Sequence, residues 1–156
     1  MAIEQVKEYF QQWGIDEKVM ELEVSSATVE LAANALGVIP GRIAKTLSFK
    51  KEDRALLVVA AGEAKIDNRK FKDFFGVKAK MLTPEEVLEK IGHPIGGVCP
   101  FAICEGVPVY LDVSMKRFET VFPACGSGNS AIELTCEELF QYAKAQEWVD
   151  ICKDWE

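Results

Sequence analysis

The sequence predicts one mixed α/β (α+β) domain, built around a mixed sheet and spanning residues 1–156. Three observations lead there. Apolar residues recur at helical spacing near the start of the chain and behind two capping boxes. Strand-like runs, one of them apolar on both faces, fall between those helices. No linker, repeat or low-complexity stretch divides the chain, and 156 residues suit one core better than two. The 49% apolar and 28% charged fractions are those of an ordinary globular protein.

Taken in order, Ile3, Val6, Tyr9, Phe10 and Trp13 form one helical stripe that stops at Gly14. Residues 19–24 alternate loosely and read as a strand. Ser25 or Ser26 then caps a second helix carrying Val29, Ala32, Ala33 and Leu36, ended by Gly37. Residues 43–49 and 55–61 make a hairpin around the charged turn 50–54, and ALLVVAA, apolar on both faces, belongs in mid-sheet. Asp67 caps a short helix that runs to Phe75 and ends at Gly76, and a strand at 77–82 follows. Thr83-Pro-Glu-Glu86 is a capping box with proline at the first helical position, and Gly92 closes that helix. A loop over 93–100 leads to a strand at 107–113. Two strands, 119–124 and 130–134, are joined by Gly126-Ser-Gly-Asn129. Thr135-Cys-Glu-Glu138 opens a last helix over 139–145.

Composition narrows the function. A net charge of −7 disfavours broad gripping of long nucleic acid, DNA included, and permits a small footprint such as the end of an RNA strand. No apolar stretch is long enough to span a bilayer, and the N-terminus lacks the pattern of a signal peptide, so the expected setting is cytoplasmic. Five irregularly spaced cysteines and the single His93 predict reduced thiols, no closed metal site and no cofactor.

Lys45 is the most informative residue. Strand alternation puts it on the face of Ile43, Leu47 and Phe49, where a lysine snorkels out from an edge strand, pairs with an acid, or meets an anionic ligand in a pocket. In His93-Pro-Ile-Gly-Gly-Val-Cys-Pro100, paired glycines between prolines let backbone approach a ligand, although Gly and Pro are also ordinary turn residues. Ser127, Gly128 and Asn129 make a small polar hairpin tip. Asp112, at a strand end, either shapes a site or forms a turn, and His93 either touches substrate or is a capped loop histidine. No GxSxG elbow, Walker loop or Ser-His-Asp arrangement is present.

The Lys45-Thr46-Leu47 strand after Pro40-Gly41, the Gly96-Gly-Val-Cys-Pro100 loop, Leu111-Asp112 and the Gly-rich hairpin before Ile132-Glu133-Leu134 come in an order that resembles the YbaK/prolyl-tRNA-synthetase-associated domain family over residues 20–145. The resemblance implies a partly closed mixed sheet surrounded by helices. It further implies hydrolysis of the ester joining a mischarged small amino acid to the 3′ acceptor end of aminoacyl-tRNA, with a synthetase as possible partner. Under it, Lys45 matches the functional lysine, and Gly96, Gly97 and Pro100, with Val98 between, the substrate loop, in which the Gly96-Gly97 backbone is expected to position the acyl group and stabilise developing oxyanion charge. Thr46, His93, Asp112, Ser127, Gly128 and Asn129 join as substrate-binding candidates. Residues 125–130 offer neither the histidine nor the basic stretch that branches of the family carry there, which leaves the amino acid open. A non-catalytic module holding an aminoacyl end or a nucleotide would use the same pocket.

Overall fold

The computed structural model describes residues 2–155. Its hydrophobic centre is the hairpin of β2 (Ile43–Lys51) and β3 (Arg54–Ala61), paired from Ala44–Ala61 to Lys51–Arg54, so that only Glu52 and Asp53 form the turn. Every β3 residue from Ala55 to Ala61 is buried. The pattern apolar on both faces is thus met by a strand covered on both faces. Beside β3, β5 (Val109–Asp112) runs parallel, and β9 (Glu147–Val149) runs parallel to β5. On the other flank β6 (Thr120–Pro123) lies parallel to β2, and β8 (Leu134–Thr135) antiparallel to β6. The result is a curled six-stranded mixed sheet in the order β8-β6-β2-β3-β5-β9. Two small antiparallel pairs sit outside it: β1 (Met20–Glu21) with β7 (Ser130–Ala131), and β4 (Lys65–Ile66) with β10 (Cys152–Lys153).

Five α-helices among the described residues surround the sheet. α1 (Ala2–Phe10) ends through a 3₁₀ turn at Gly14, whose φ of +69° is costly for residues with a Cβ. α1 and the turn after it meet α5 (Cys136–Tyr142) through rings, Phe10 lying 6.2 Å and Trp13 4.8 Å from Tyr142, while Phe10 also lies 4.7 Å from the loop residue Phe101. α3 (Asn68–Phe75) starts where the Asp67 carboxylate accepts from the Arg69 and Lys70 N–H groups, and packs Phe71 on Phe49 and Phe75 on Tyr110. α4 (Pro84–Lys90) and α5 both open with complete capping boxes, on Thr83 with Glu86 and on Thr135 with Glu138. α2 (Val29–Leu36) is joined differently. Its Ala32 and Ala33 meet Ile43 and Phe122 in a small apolar cluster separate from the main core. No helix among the described residues is long and apolar enough to cross a membrane.

Several local expectations are corrected. The cap of α2 is Thr28, whose hydroxyl accepts from the Leu31 N–H, while the Ser25 hydroxyl accepts from Ala27 in the turn before it. The 77–82 stretch is no full strand. One edge of β2 is taken by β3, the other by β6 at Ile43 and Ala44, and only the far end remains to accept a Phe49–Met81 bridge. The return from the Gly-rich turn does not pair continuously with β6. Ser130 and Ala131 turn to β1, and pairing with β6 resumes at Leu134. The helix before Gly92 closes at Lys90, and the strand predicted at 107–113 is confined to Val109–Asp112 because Asp112 caps a 3₁₀ turn.

Candidate active site

β2 is an internal strand, so Lys45 does not snorkel from a sheet edge. Residues on both faces of β2, Ala44 and Ser48 as well as Ile43 and Phe49, are buried. The face bearing Lys45 is therefore not the only apolar one. Its ammonium is half-buried and donates to the Gly62 carbonyl at 3.1 Å and to the Ala64 carbonyl. Burial holds its pKa below the ordinary 10.5, an effect opposed by Cys152, Glu63 and Glu30. The Cys152 thiol is itself pushed up to about 12 by burial and is neutral at physiological pH, which leaves Glu63 and Glu30 as the nearby anions. The chain turns sharply beside this ammonium. A Cβ on Gly62 would stand 2.1 Å from the Pro40 carbonyl oxygen and 2.7 Å from Val29, so only glycine lets β3 end against α2.

Lys45 and Thr46 line a cavity of about 180 Å³, together with the chain entering α2 (Ser26, Ala27, Thr28, Val29), the loop residues Ile95, Gly96 and Val98, Phe122 of β6 with the following Ala124, and Ser130 and Ala131 of β7. Small side chains dominate the wall. Among the described residues Lys45 is its one ionisable group, and histidine, cysteine and carboxylate are absent from the lining. Two wall hydroxyls, Ser26 Oγ and Thr46 Oγ1, are buried without a hydrogen-bond partner, an unfavourable state for polar groups.

The structure thus brings four of the predicted residues, Lys45, Thr46, Gly96 and Val98, to one cavity; Gly97, Ser127, Gly128 and Asn129 back its wall, and Pro100, His93 and Asp112 lie elsewhere. Gly97 lies behind the wall. Its N–H donates to the Pro94 carbonyl at 3.0 Å, and a Cβ there would stand 2.6 Å from the Ser127 nitrogen. The Gly96 N–H keeps no partner among the described residues. Ser127, Gly128 and Asn129 brace the segment that enters α2: the Gly128 carbonyl accepts from Ser26 N–H at 2.7 Å, and the Asn129 carbonyl accepts from Leu22 N–H at 2.7 Å. Pro100 borders a different cleft, with Tyr9 and Lys144.

His93 and Asp112 are corrected more sharply. His93 is fully buried, its Nε2–H donating to the Phe101 carbonyl at 2.6 Å, with Nδ1 unpartnered. Burial lowers its pKa, and it does not border the cavity. Asp112 is also fully buried. Its carboxylate accepts from Ser114 N–H and from Ile151 N–H, both at 2.9 Å, and so ties the end of β5 to the C-terminal segment. Sequence reading missed Ser26, which looked like a helix cap, together with Ala27, Met81 and Ile95. The signal for Ile95 was its place directly before Gly96.

The geometry is that of a curled sheet holding one lysine in a small, otherwise uncharged cavity. The chain belongs to the aminoacyl-tRNA editing domain family, whose sequence model matches residues 23–142. It is 58% identical to the uncharacterized protein YwhH of Bacillus subtilis, over the full length of both chains. Across 140 residues it is 33% identical to a proline–tRNA ligase of Thermosipho melanesiensis, a match covering 87% of this chain and 24% of the ligase. A solved structure described as a candidate trans-editing enzyme for prolyl tRNA synthetase superposes with a TM-score of 0.88 at 32% identity, covering 98% of each chain.

Proposed function

We propose that the protein is a trans-editing deacylase, hydrolysing the ester between a mischarged small amino acid (alanine, serine, cysteine or threonine) and the terminal adenosine of tRNA, with tRNA-Pro as the favoured carrier. The observation that carries this reading is the cavity itself, small, walled by small side chains (Ala, Ser, Thr, Gly) together with a few aliphatic residues and Phe122, and bearing a single partly desolvated cation. A synthetase pocket separates residues differing by one methylene by only about 1–3 kcal/mol, so a second sieve closed to larger side chains adds discrimination that the first lacks.

The chemistry asked of these residues is modest. Water, oriented by the substrate's own 2′-hydroxyl, adds to the ester carbonyl; the acyl–oxygen bond breaks, the 3′-oxygen leaves as a hydroxyl with one proton of that water, and the amino acid departs as its carboxylate with the other proton passing to solvent. The wall supplies no carboxylate or imidazole as base, so its contribution is orientation and charge. Lys45 holds the terminal phosphate or the developing oxyanion, and the Gly96 N–H is the loop donor free to assist. Gly97, with its N–H already committed, shapes that loop.

The test is deacylation of prolyl, alanyl and cysteinyl tRNAs carrying each small amino acid, with wild type and Lys45→Met. The methionine keeps the aliphatic stem and removes the charge. At least one small aminoacyl-tRNA is released well above the buffer rate, and Lys45→Met lowers that rate about 10²–10³-fold. Release no faster than buffer across the whole panel overturns the reading.

A further inference from the structure

Two apolar side chains at the mouth of the cavity serve nothing in the free fold. Ile95 and Met81 both line it, yet are 62% and 54% exposed. Isolated exposed aliphatic residues are ordinary; two brought to one cavity mouth from separate segments mark a contact surface. Both are held on fixed backbone. Pro94 to Gly97 closes as a turn through the Gly97 N–H to Pro94 carbonyl bond, and Gly96 at φ +92° occupies its third position, so Ile95 stands at the second, outer corner. Met81 sits in a stretch pinned to β2 on either side. The Lys50 N–H donates to the Lys80 carbonyl at 2.8 Å, and the Leu82 N–H to the Ser48 carbonyl at 3.2 Å.

The occupant follows from what the cavity leaves outside. About 180 Å³ walled by small residues takes a short acyl group, not the nucleoside to which that group is esterified. The base of that nucleoside therefore stays at the mouth. The two large exposed side chains of the lining, Ile95 and Met81, are apolar, whereas Lys45, the one charge in the wall among the described residues, is half-buried against the Gly62 and Ala64 carbonyls, so a flat, uncharged ring suits the mouth and the phosphate or oxyanion is left to Lys45. We propose that Ile95 and Met81 clamp the planar purine base of the terminal nucleotide, placing its acyl ester in the cavity. This rests on the editing reading above, and it assigns positioning, not catalysis, to both residues.

The test reads binding without turnover. Calorimetry compares 3′-alanylamido-3′-deoxyadenosine, an amide that resists hydrolysis, with the same aminoacyl amide on a sugar lacking the base. The wild-type protein binds the base-bearing compound roughly tenfold more tightly, the scale that burial of a base face against aliphatic side chains gives. In an Ile95→Ser, Met81→Ser double variant that ratio falls toward one, and Ile95→Phe, which offers a larger flat face, raises it. Because both side chains are exposed, the unfolding midpoints of the variants stay close to wild type. A ratio unchanged in the double variant, a wild type indifferent to the base, or no binding of either amide overturns the clamp. Base-dependent binding that the double variant removes, without release of amino acid from any mischarged tRNA, would instead uphold the clamp and overturn the deacylase reading.

Discussion

Replacing Gly97 by alanine adds one carbon where three backbone atoms already stand. The new Cβ would lie 2.6 Å from the Ser127 nitrogen and 2.7 Å from both the Gly126 carbonyl carbon and the Ser127 Cα. Backbone cannot rotate away as a side-chain tip can, so the loop that carries Gly96 and the turn over residues 126–128 must part by the better part of an ångström. Over-packing of this kind costs about 1–3 kcal/mol. The same displacement moves Gly96 in the cavity wall and loosens the turn whose Gly128 carbonyl holds Ser26, and a 1 Å misplacement is enough to lower a rate by roughly 10²-fold. Urea unfolding and single-turnover deacylation of the best substrate measure the two effects on one preparation. Gly128→Ala is the control, because its Cβ would find nothing nearer than Ala27 Cβ at 3.6 Å and the Gly96 oxygen at 3.9 Å; it stays within about 0.5 kcal/mol of wild type. Gly97→Ala with wild-type stability and rate would refute the close packing of loop on turn, and with it the account of why two glycines stand together there.

The remaining expectations concern ionisation. Burial places the folded pKa of Lys45 below 10.5, so the unfolded chain holds this proton more tightly; stability rises as pH is raised through the folded value toward 10.5, and urea midpoints of Lys45→Met lack that rise. The deacylation rate, corrected for buffer hydrolysis, falls over the same alkaline range as the ammonium is lost. For His93 the folded value lies below 6.5 because the ring is buried. The unfolded chain therefore protonates first, and stability drops as pH falls through 6.5 toward the folded value; His93→Phe flattens that slope in denaturant titrations. Glu86 is held at about 2 by Lys50, 2.7 Å away, and by the Thr83 N–H, so its contribution is present above 4.5 and disappears as pH falls toward 2. In carboxyl NMR titrations Lys50→Met moves Glu86 back up toward 4.5.

What could be read from the chain follows the range of the interactions involved. The capping boxes at Thr83 and Thr135, the Asp67 cap and the glycine stops at Gly14, Gly37 and Gly76 are settled within a few residues, and each forms where the local pattern puts it. The run 55–61 is apolar on both faces because it is mid-sheet, which alternation alone can suggest. The pairs β1–β7 and β4–β10 are two residues long and join segments far apart in sequence, so no periodicity announces them. The same limit governs the site. Lys45 and Gly96 stood out by residue type, but the wall is completed by Ser26–Val29 and by residues 122–131, which reach it only through tertiary packing. His93 and Asp112 misled for a related reason. Both carry useful chemistry next to turn residues, yet the packing around Phe101 and Ile151 spends their hydrogen bonds inside the fold.

A chain of net charge −7 can still hold the end of an RNA if the charges that matter are local. Exposed charges more than about 8 Å apart are largely screened at physiological ionic strength, so distant carboxylates have little say in the cavity. Of the two acids near Lys45, Glu63 is paired with Arg117, which draws its charge away from the lysine. The ammonium is anchored by the Gly62 and Ala64 carbonyls, dipoles that orient it without neutralising it. Partly withdrawn from water and unsatisfied by a full counter-charge, it gains more from a phosphate or an oxyanion than an exposed lysine would, because the effective dielectric there is lower. A basic face would bind RNA of any kind along its length. Under the proposed deacylation, one poised cation in a small, otherwise uncharged cavity instead favours the short aminoacyl end, which carries the ester.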